Sequence, residues 1–317
     1  MKIVISDCSW NAYEVEKQYL PAEAEVVCAQ VKSEEDILKI CKDADAVLSE
    51  YGPYTRRVLE QLPKLKIISN SAMGVDNIDL KAAKELGIAV ANVPDYCVHE
   101  VAEHAMALIL AALRNIPGYN SKMREGIWDF AQTPKLYRIH GSTLGLIGCG
   151  RIPRKVAAMA HGFGMRVIGH ARAMTQAEAD QYGIELVSLE QLAAESDAIL
   201  NQLPLTAETE HFVNKDFFDM VKKQPVFVNT SRGATVDQAA LCDALRTGKI
   251  SAAGLDVLDQ EPPDFSDEIF SFENVIFTPH AAFYSETALE EVRRRSALNV
   301  TNFLAGNLDQ VEFVVKP

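Results

Sequence analysis

GLIGCGRIPRK, Gly145 to Lys155, decides how this chain folds. Gly148 and Gly150 fit the first two glycines of G-x-G-x-x-G, and Pro153 stands where the third would be. The first glycine of such a loop allows a tight turn, and the second lets backbone approach a pyrophosphate. The third brings helix and strand together. Proline in a first helical turn costs no intrahelical bond, because its missing N–H would have had no partner there. The helix N-terminus can still favour phosphate. TLGLIG (143–148) precedes the loop as a strand pattern, KVAAMAHGF (155–163) follows as a helix, and MRVIGH (165–170) is the next strand. That context predicts a dinucleotide site rather than a glycine-rich turn without a ligand.

The second strand of this unit ends in GHAR, Gly169 to Arg172. An NAD-selecting unit usually carries Asp or Glu there for the ribose hydroxyls. Ala171 holds that position and Arg172 follows. An arginine without a neighbouring acid suits a ribose 2′-phosphate. The cofactor is NAD(H) or NADP(H), with a lean to NADP(H).

Outward from the loop, strand and helix patterns alternate in both directions. KIVIS (2–6), EVVCAQV (25–31), AVLSE (46–50), KIISNS (66–71) and AVANV (89–93) form one series. TLGLIG, MRVIGH, AILNQL (198–203), VFVNT (226–230), GLDV (254–257) and VIFTP (275–279) form another. A helical pattern that is apolar nearly all round, His99 to Asn115, separates them. A helix, Glu286 to Leu304, and a strand-like tail, VEFVVK (311–316), close the chain. The fold class predicted is α/β, with two doubly wound parallel-sheet, Rossmann-like domains and a cleft between them. The expected division is a discontinuous domain of residues 1–98 plus 285–317, and a dinucleotide domain of residues 99–284.

The 317 residues are enough for two cores. A formal net charge of −13 argues against a nucleic-acid or anionic-membrane binder. A local arginine can still attract a small anion. Cys8, Cys28, Cys41, Cys97, Cys149 and Cys242 are scattered without a C-x-x-C pair, which points to reduced residues of a cytoplasmic protein. The apolar run 105–113 is too short to span a bilayer, and the start reaches Asp7 too soon for a signal peptide.

Three strand ends in the second series carry reactive side chains. NTSRGATVD (229–237) puts Arg232 just past a strand, and AAGLDVLDQEP (252–262) puts Asp256 at a strand end with Glu261 beyond it. FTPHAAFYSE (277–286) puts His280 after a third strand. Open α/β sheets bind ligands at these carboxyl ends. Reducing a 2-keto acid needs a hydride at carbon, which a nicotinamide supplies, and a proton at oxygen. Histidine titrates near neutral pH and can give that proton. Glu261 would hold the imidazolium, and Arg232 would bind the substrate carboxylate and polarise the keto oxygen.

These motifs together resemble the D-isomer-specific 2-hydroxyacid dehydrogenase family over essentially the whole chain. The carriers are SAMGVDNIDL (71–80), NVPDYCVHEVAEHAMALIL (92–110), LGLIGCGRIP, NTSRG, GLDV…EP and TPHAA. NVPDYC and TPHAAFYSE are most similar to the C-terminal binding protein branch and its bacterial relatives. The resemblance implies catalytic Arg232, Glu261 and His280, with Asp256 near the nicotinamide. It implies a cofactor lined by Gly148, Gly150, Arg151, Ile152, Ala171, Arg172, Thr230, Ser231, Arg232, His280 and Ala282, with Leu203 and Pro204 under the adenosine. Backbone at Met73, Gly74 and Val75 would hold the substrate carboxylate, and Asn70, Ala72, Tyr96 and Phe283 would shape the pocket. Here Asn70 stands for the branch's Arg, Ala72 for a Gly and Phe283 for a Trp. The resemblance also implies a split substrate domain and a homodimer through the cofactor domain.

HEVAEH (99–104) looks like a zinc motif, but His99 and His104 are five apart instead of four, so they leave a common helix face. No metal is expected, and the helix is read as lining the cleft. His140, His161, His170 and His211 are read as surface or structural. Two functions stay open: a reductase of a small 2-keto acid, or a dinucleotide-sensing, corepressor-like protein with little catalysis. Glyoxylate, hydroxypyruvate, phosphorylated acids and branched keto acids all remain candidate substrates.

Overall fold

The computed structural model describes residues 1–8, 10, 13–132 and 134–317. The chain divides into two compact units, Met1–Cys97 with Ser285–Pro317, and Val98–Tyr284.

The first unit is built on β1 (Lys2–Ile5), β2 (Glu25–Cys28), β3 (Ala46–Ser49), β4 (Ile67–Asn70) and β5 (Ala89–Ala91). All five run parallel. Every residue of β3, β4 and β5 is buried, as expected for parallel strands covered on both faces. Alternate side chains serve two cores. Val4, Val47, Ile68 and Val90 pack with Ile37, Val58, Leu59, Ala82 and Ala83. Ile3, Leu48, Ile67 and Ala89 face the other way, onto Ala297 and Val300 of the helix Glu286–Leu304.

The second unit holds β6 (Thr143–Ile147), β7 (Arg166–His170), β8 (Glu185–Leu186), β9 (Ala198–Asn201), β10 (Val226–Asn229), β11 (Ala252–Leu255) and β12 (Val275–Phe277). The chain ends on β13 (Phe313–Val315), which joins the first sheet antiparallel to β5. The first sheet is ordered β13-β5-β4-β3-β1-β2, and the second β12-β11-β10-β9-β6-β7-β8. In the second sheet the order reverses between β6 and β9, and in the first between β1 and β3. Such switch points leave a crevice at the carboxyl ends of the strands.

Two local differences from the sequence reading have physical causes. The helix expected over 99–115 spans Val98–Leu113. Asn115 takes a left-handed conformation (φ 49°), and a second helix, Ile116–Arg124, starts with Pro117 in its first turn. The strand expected at 254–257 is Ala252–Leu255, because pairing with β10 begins at Val226 opposite Ala252. Asp256 is thereby the first residue past its strand.

Candidate functional site

The loop after β6 has the form its glycines require. Gly148 is left-handed (φ 91°), and its N–H donates to the carbonyl of His170 on β7 at 2.9 Å. A Cβ there would stand 3.0 Å from the carbonyl oxygen of Gln202, so this turn needs glycine on two counts. Gly150 caps the helix Arg151–Gly162, and a Cβ added to it would meet no atom within 4 Å. The open space at that helix N-terminus is a cradle that a side chain would fill, and it fits a dinucleotide phosphate. Pro153 lies in the first turn and is buried, so it does not break the helix. Cys149 faces inward, and burial pushes its thiol up to about 11.

The other cofactor candidates follow neighbouring strands at the same edge. Ala171 and Arg172 come directly after β7, and Leu203 and Pro204 follow β9. Thr230 and Ser231 follow β10 and are buried. The Thr230 hydroxyl donates to Gln202 Oε1 (2.7 Å), and the Ser231 hydroxyl to Asn229 Oδ1 (3.1 Å). Gln202 Nε2 also donates to the Thr230 carbonyl at 3.2 Å, so Gln202 and Thr230 tie the loops after β9 and β10 together. Gln202 was not singled out from sequence, since a lone Gln after a strand has no motif.

The candidate catalytic side chains come from the loops after β10, β11 and β12. His280 Nδ1 and Glu261 Oε2 are 2.6 Å apart. Glu261 Oε1 also accepts the backbone N–H of Leu258 at 3.1 Å. Burial raises the Glu261 carboxyl, but the His280 hydrogen bond and charge, the Leu258 N–H and the Arg232 charge outweigh it. Together they hold the carboxyl below its ordinary value. The positive charge of Arg232 therefore reaches Glu261 within one unit. With Nδ1 on Glu261, the imidazole leaves Nε2 as the atom available for proton transfer. Phe283 packs edge-on to the His280 ring, with centroids 6.3 Å apart.

Asp256 is almost wholly buried, and Ala281 and Ala282 both donate backbone N–H groups to its carboxylate (2.9 and 3.0 Å). Gly233, next to Arg232, escaped the sequence reading. A Cβ on it would lie 1.9 Å from the carbonyl oxygen of Leu258. No local signal separates this glycine from an ordinary turn glycine, because its contact is 25 residues away in sequence.

The substrate-loop candidates belong to the first unit. Asn70 ends β4, and its Nδ2 donates to the Gly74 carbonyl at 2.7 Å, with Asn77 Oδ1 at 3.2 Å. Asn92 Nδ2 donates to the Met73 carbonyl at 2.7 Å. Asn70 is thus brought to Gly74 and shapes the loop that carries Met73, Gly74 and Val75. Tyr96 lies in a turn after β5, and burial pushes its hydroxyl well above the usual tyrosine value.

Among the described residues no group of three His, Cys, Asp or Glu is placed to hold a metal ion. No helix there is long and apolar enough to cross a membrane.

Comparison with known proteins bears on this geometry. Residues 106–282 match the family described as "D-isomer specific 2-hydroxyacid dehydrogenase, NAD binding domain". A D-3-phosphoglycerate dehydrogenase of Methanocaldococcus jannaschii is 38% identical over 310 residues, 97% of this chain but only 58% of its own length. A glyoxylate reductase of Korarchaeum cryptofilum is 39% identical over 280 residues, 87% of this chain and 84% of its own. Among solved structures, a D-lactate dehydrogenase of Aquifex aeolicus complexed with NAD and lactic acid superposes with a TM-score of 0.89 at 28% identity, covering 99% of each chain. These relatives do not single out the C-terminal binding protein branch.

Proposed function

The chain belongs to the D-isomer specific 2-hydroxyacid dehydrogenase family, and from that membership we propose that it is an NAD(P)-dependent enzyme interconverting a small 2-keto acid and its D-2-hydroxy acid. When bound, the nicotinamide supplies the hydride taken by the keto carbon. His280 gives the proton to the keto oxygen from Nε2. Glu261 holds the imidazolium and fixes which nitrogen faces the substrate. Arg232 binds the substrate carboxylate and stabilises charge growing on the keto oxygen. Backbone at Met73, Gly74 and Val75 is assigned to the substrate carboxylate, with Asn70, Tyr96 and Phe283 shaping its selectivity. The observation that carries this reading is the 2.6 Å contact between His280 Nδ1 and Glu261 Oε2. A histidine that merely filled space would need no ionised partner within hydrogen-bond reach.

For the cofactor, Gly148, Gly150, Arg151 and Ile152 are assigned to the pyrophosphate, Leu203 and Pro204 to the adenosine, and Thr230, Ser231, Asp256 and Ala282 to the nicotinamide half. Arg172 beside the uncharged Ala171 supports a preference for NADP(H) over NAD(H). A homodimer through the second unit is supported by exposed apolar side chains there, Ile116, Met123, Trp128, Phe130 and Tyr137. The scattered free cysteines support a cytoplasmic setting. The corepressor-like alternative is not favoured, because the relatives named above are reductases and dehydrogenases.

The test is nicotinamide oxidation with glyoxylate, hydroxypyruvate, 3-phosphohydroxypyruvate and branched 2-keto acids, each with NADH and NADPH, followed by chiral analysis of the product. Turnover of at least one acid to its D-hydroxy product supports the reading. Tight dinucleotide binding without turnover of any acid refutes it.

A further inference from the structure

His280 sits in a left-handed conformation (φ 51°), which non-glycine residues seldom adopt unless their surroundings impose it. Asp256 is the main group that imposes it. The carbonyl of Asp256 accepts the N–H of His280 at 2.8 Å, a donor shared with the Thr278 carbonyl at 3.0 Å, while its Oδ1 accepts Ala281 at 2.9 Å and its Oδ2 accepts Ala282 at 3.0 Å. Three successive amides thus wrap one residue, and the turn holds the imidazole against Glu261.

The orientation of Asp256 is in turn set from a distant helix. The Thr278 hydroxyl lies 2.5 Å from Asp256 Oδ1, and His104 Nε2 lies 2.9 Å from the same hydroxyl oxygen. A hydroxyl has one proton to give. Thr278 gives it to the carboxylate, so its oxygen accepts from His104, and His104 must carry a proton on Nε2. Both the neutral Nε2–H tautomer and the imidazolium meet that demand. His104 Nε2 is also 3.6 Å from Asp256 Oδ1. His104 belongs to the helix Val98–Leu113, which packs along β10, β11 and β12. The HEVAEH segment thus has a use that is neither a metal site nor plain lining.

We infer that His104 and Thr278 are positioning residues for proton transfer: the chain His104–Thr278–Asp256 fixes the carboxylate that clamps residues 280–282 and so keeps His280 in its left-handed, Glu261-facing pose. The inference rests on the proposed role of His280. Without the Thr278 hydroxyl the carboxylate loses one of the donors that set its rotation, and the amides of Ala281 and Ala282 lose a fixed acceptor. The strained turn can then relax, carrying the imidazole away from Glu261. Neither residue touches the reacting atoms in this scheme. Their loss should lower kcat by more than it weakens cofactor binding, because the imidazole that the turn carries moves further than the backbone that Asp256 holds.

The test uses four variants of the full chain, Thr278→Val, Thr278→Ser, His104→Ala and His104→Gln. Two readouts are taken: steady-state kinetics with measured cofactor affinity, and backbone amide exchange at Ala281 and Ala282 against that of β11. Thr278→Val and His104→Ala are expected to lower kcat at least about tenfold, with KM and cofactor Kd within about threefold, and to speed exchange at Ala281 and Ala282 at least about tenfold. Thr278→Ser and His104→Gln each keep a donor or acceptor of the same kind and are expected to recover both to within about threefold of the parent. Unchanged exchange and kcat in Thr278→Val and His104→Ala would overturn the inference. So would losses that Ser and Gln do not recover, or losses that appear equally as weaker cofactor binding. If the parent turns over none of the acids, the proposed function fails, while amide exchange still decides whether the clamp exists.

Discussion

Gly233→Ala adds one carbon at a place where the backbone of another loop already lies. The new Cβ would stand 1.9 Å from the Leu258 carbonyl oxygen, 2.0 Å from its carbon and 2.5 Å from the Asp259 nitrogen. None of these is a side-chain end that can swing aside. Moving the nearest contact from 1.9 Å to 3.0 Å, itself still tight, requires the loops to part by about 1.1 Å. Gly233 is not left-handed, so alanine brings no conformational strain to confuse the result. One side of the displaced contact follows Arg232. The other is Leu258, whose N–H bonds Glu261 at 3.1 Å. The shift therefore acts between the guanidinium and the carboxylate that holds His280. A misplacement of about 1 Å at a reacting centre can cost about 100-fold in rate. The expected outcome is kcat/KM lowered about 100-fold, with stability lowered by about 1–3 kcal/mol from overpacking. Nicotinamide oxidation at saturating cofactor gives the first quantity, and denaturant unfolding the second. A variant with kcat/KM within about threefold of the parent would show that the register of these two loops does not govern the chemistry.

Other outcomes follow from the same geometry. Glu261 has a depressed carboxyl pKa in the folded protein. Its ionised carboxylate, hydrogen-bonded to His280, thus adds stability above the unfolded glutamate value of about 4.3, and that stability is lost as pH falls through the folded value. Melting temperatures of the parent and Glu261→Gln should differ most near neutral pH and converge in acid; a gap that widens below pH ~4 would reverse the assigned sign. Arg172→Asp removes the cation next to Ala171 and supplies a ribose-binding acid. It should shift the ratio of kcat/KM for NADPH over NADH at least about tenfold toward NADH, and an unchanged ratio would remove Arg172 from cofactor selection.

Much of the fold was legible because parallel strands announce themselves as short apolar runs. KIVIS, AVLSE, KIISNS and VFVNT all contain buried strands at their expected places. β8 was missed since two residues, Glu185 and Leu186, cannot show a pattern, and the strand exists through pairing with Ile168 and Gly169. The helix ends at Leu113, short of the expected Asn115, and Asn115 and Pro117 are ordinary signals of a helix boundary that lie just past the apolar run. At the candidate site, motif and strand end are enough to single out Arg232, Glu261 and His280 as candidates. Their support was not. The left-handed turn at His280 depends on Asp256, the close approach at Gly233 depends on Leu258, and the orientation of Asp256 depends on His104, 174 residues before Thr278. Those dependences are long-range hydrogen bonds and contacts, which leave no local period for sequence to display.

The central claim is that one imidazole, held by Glu261, moves the proton that accompanies hydride transfer. Its most direct measurement is single-turnover nicotinamide oxidation in His280→Ala beside the parent, with cofactor affinity determined on the same samples. The expected result is a rate lowered by about 10²–10⁴-fold with dinucleotide affinity within about threefold. A variant that oxidises cofactor at the parental rate with the same keto acid would contradict it.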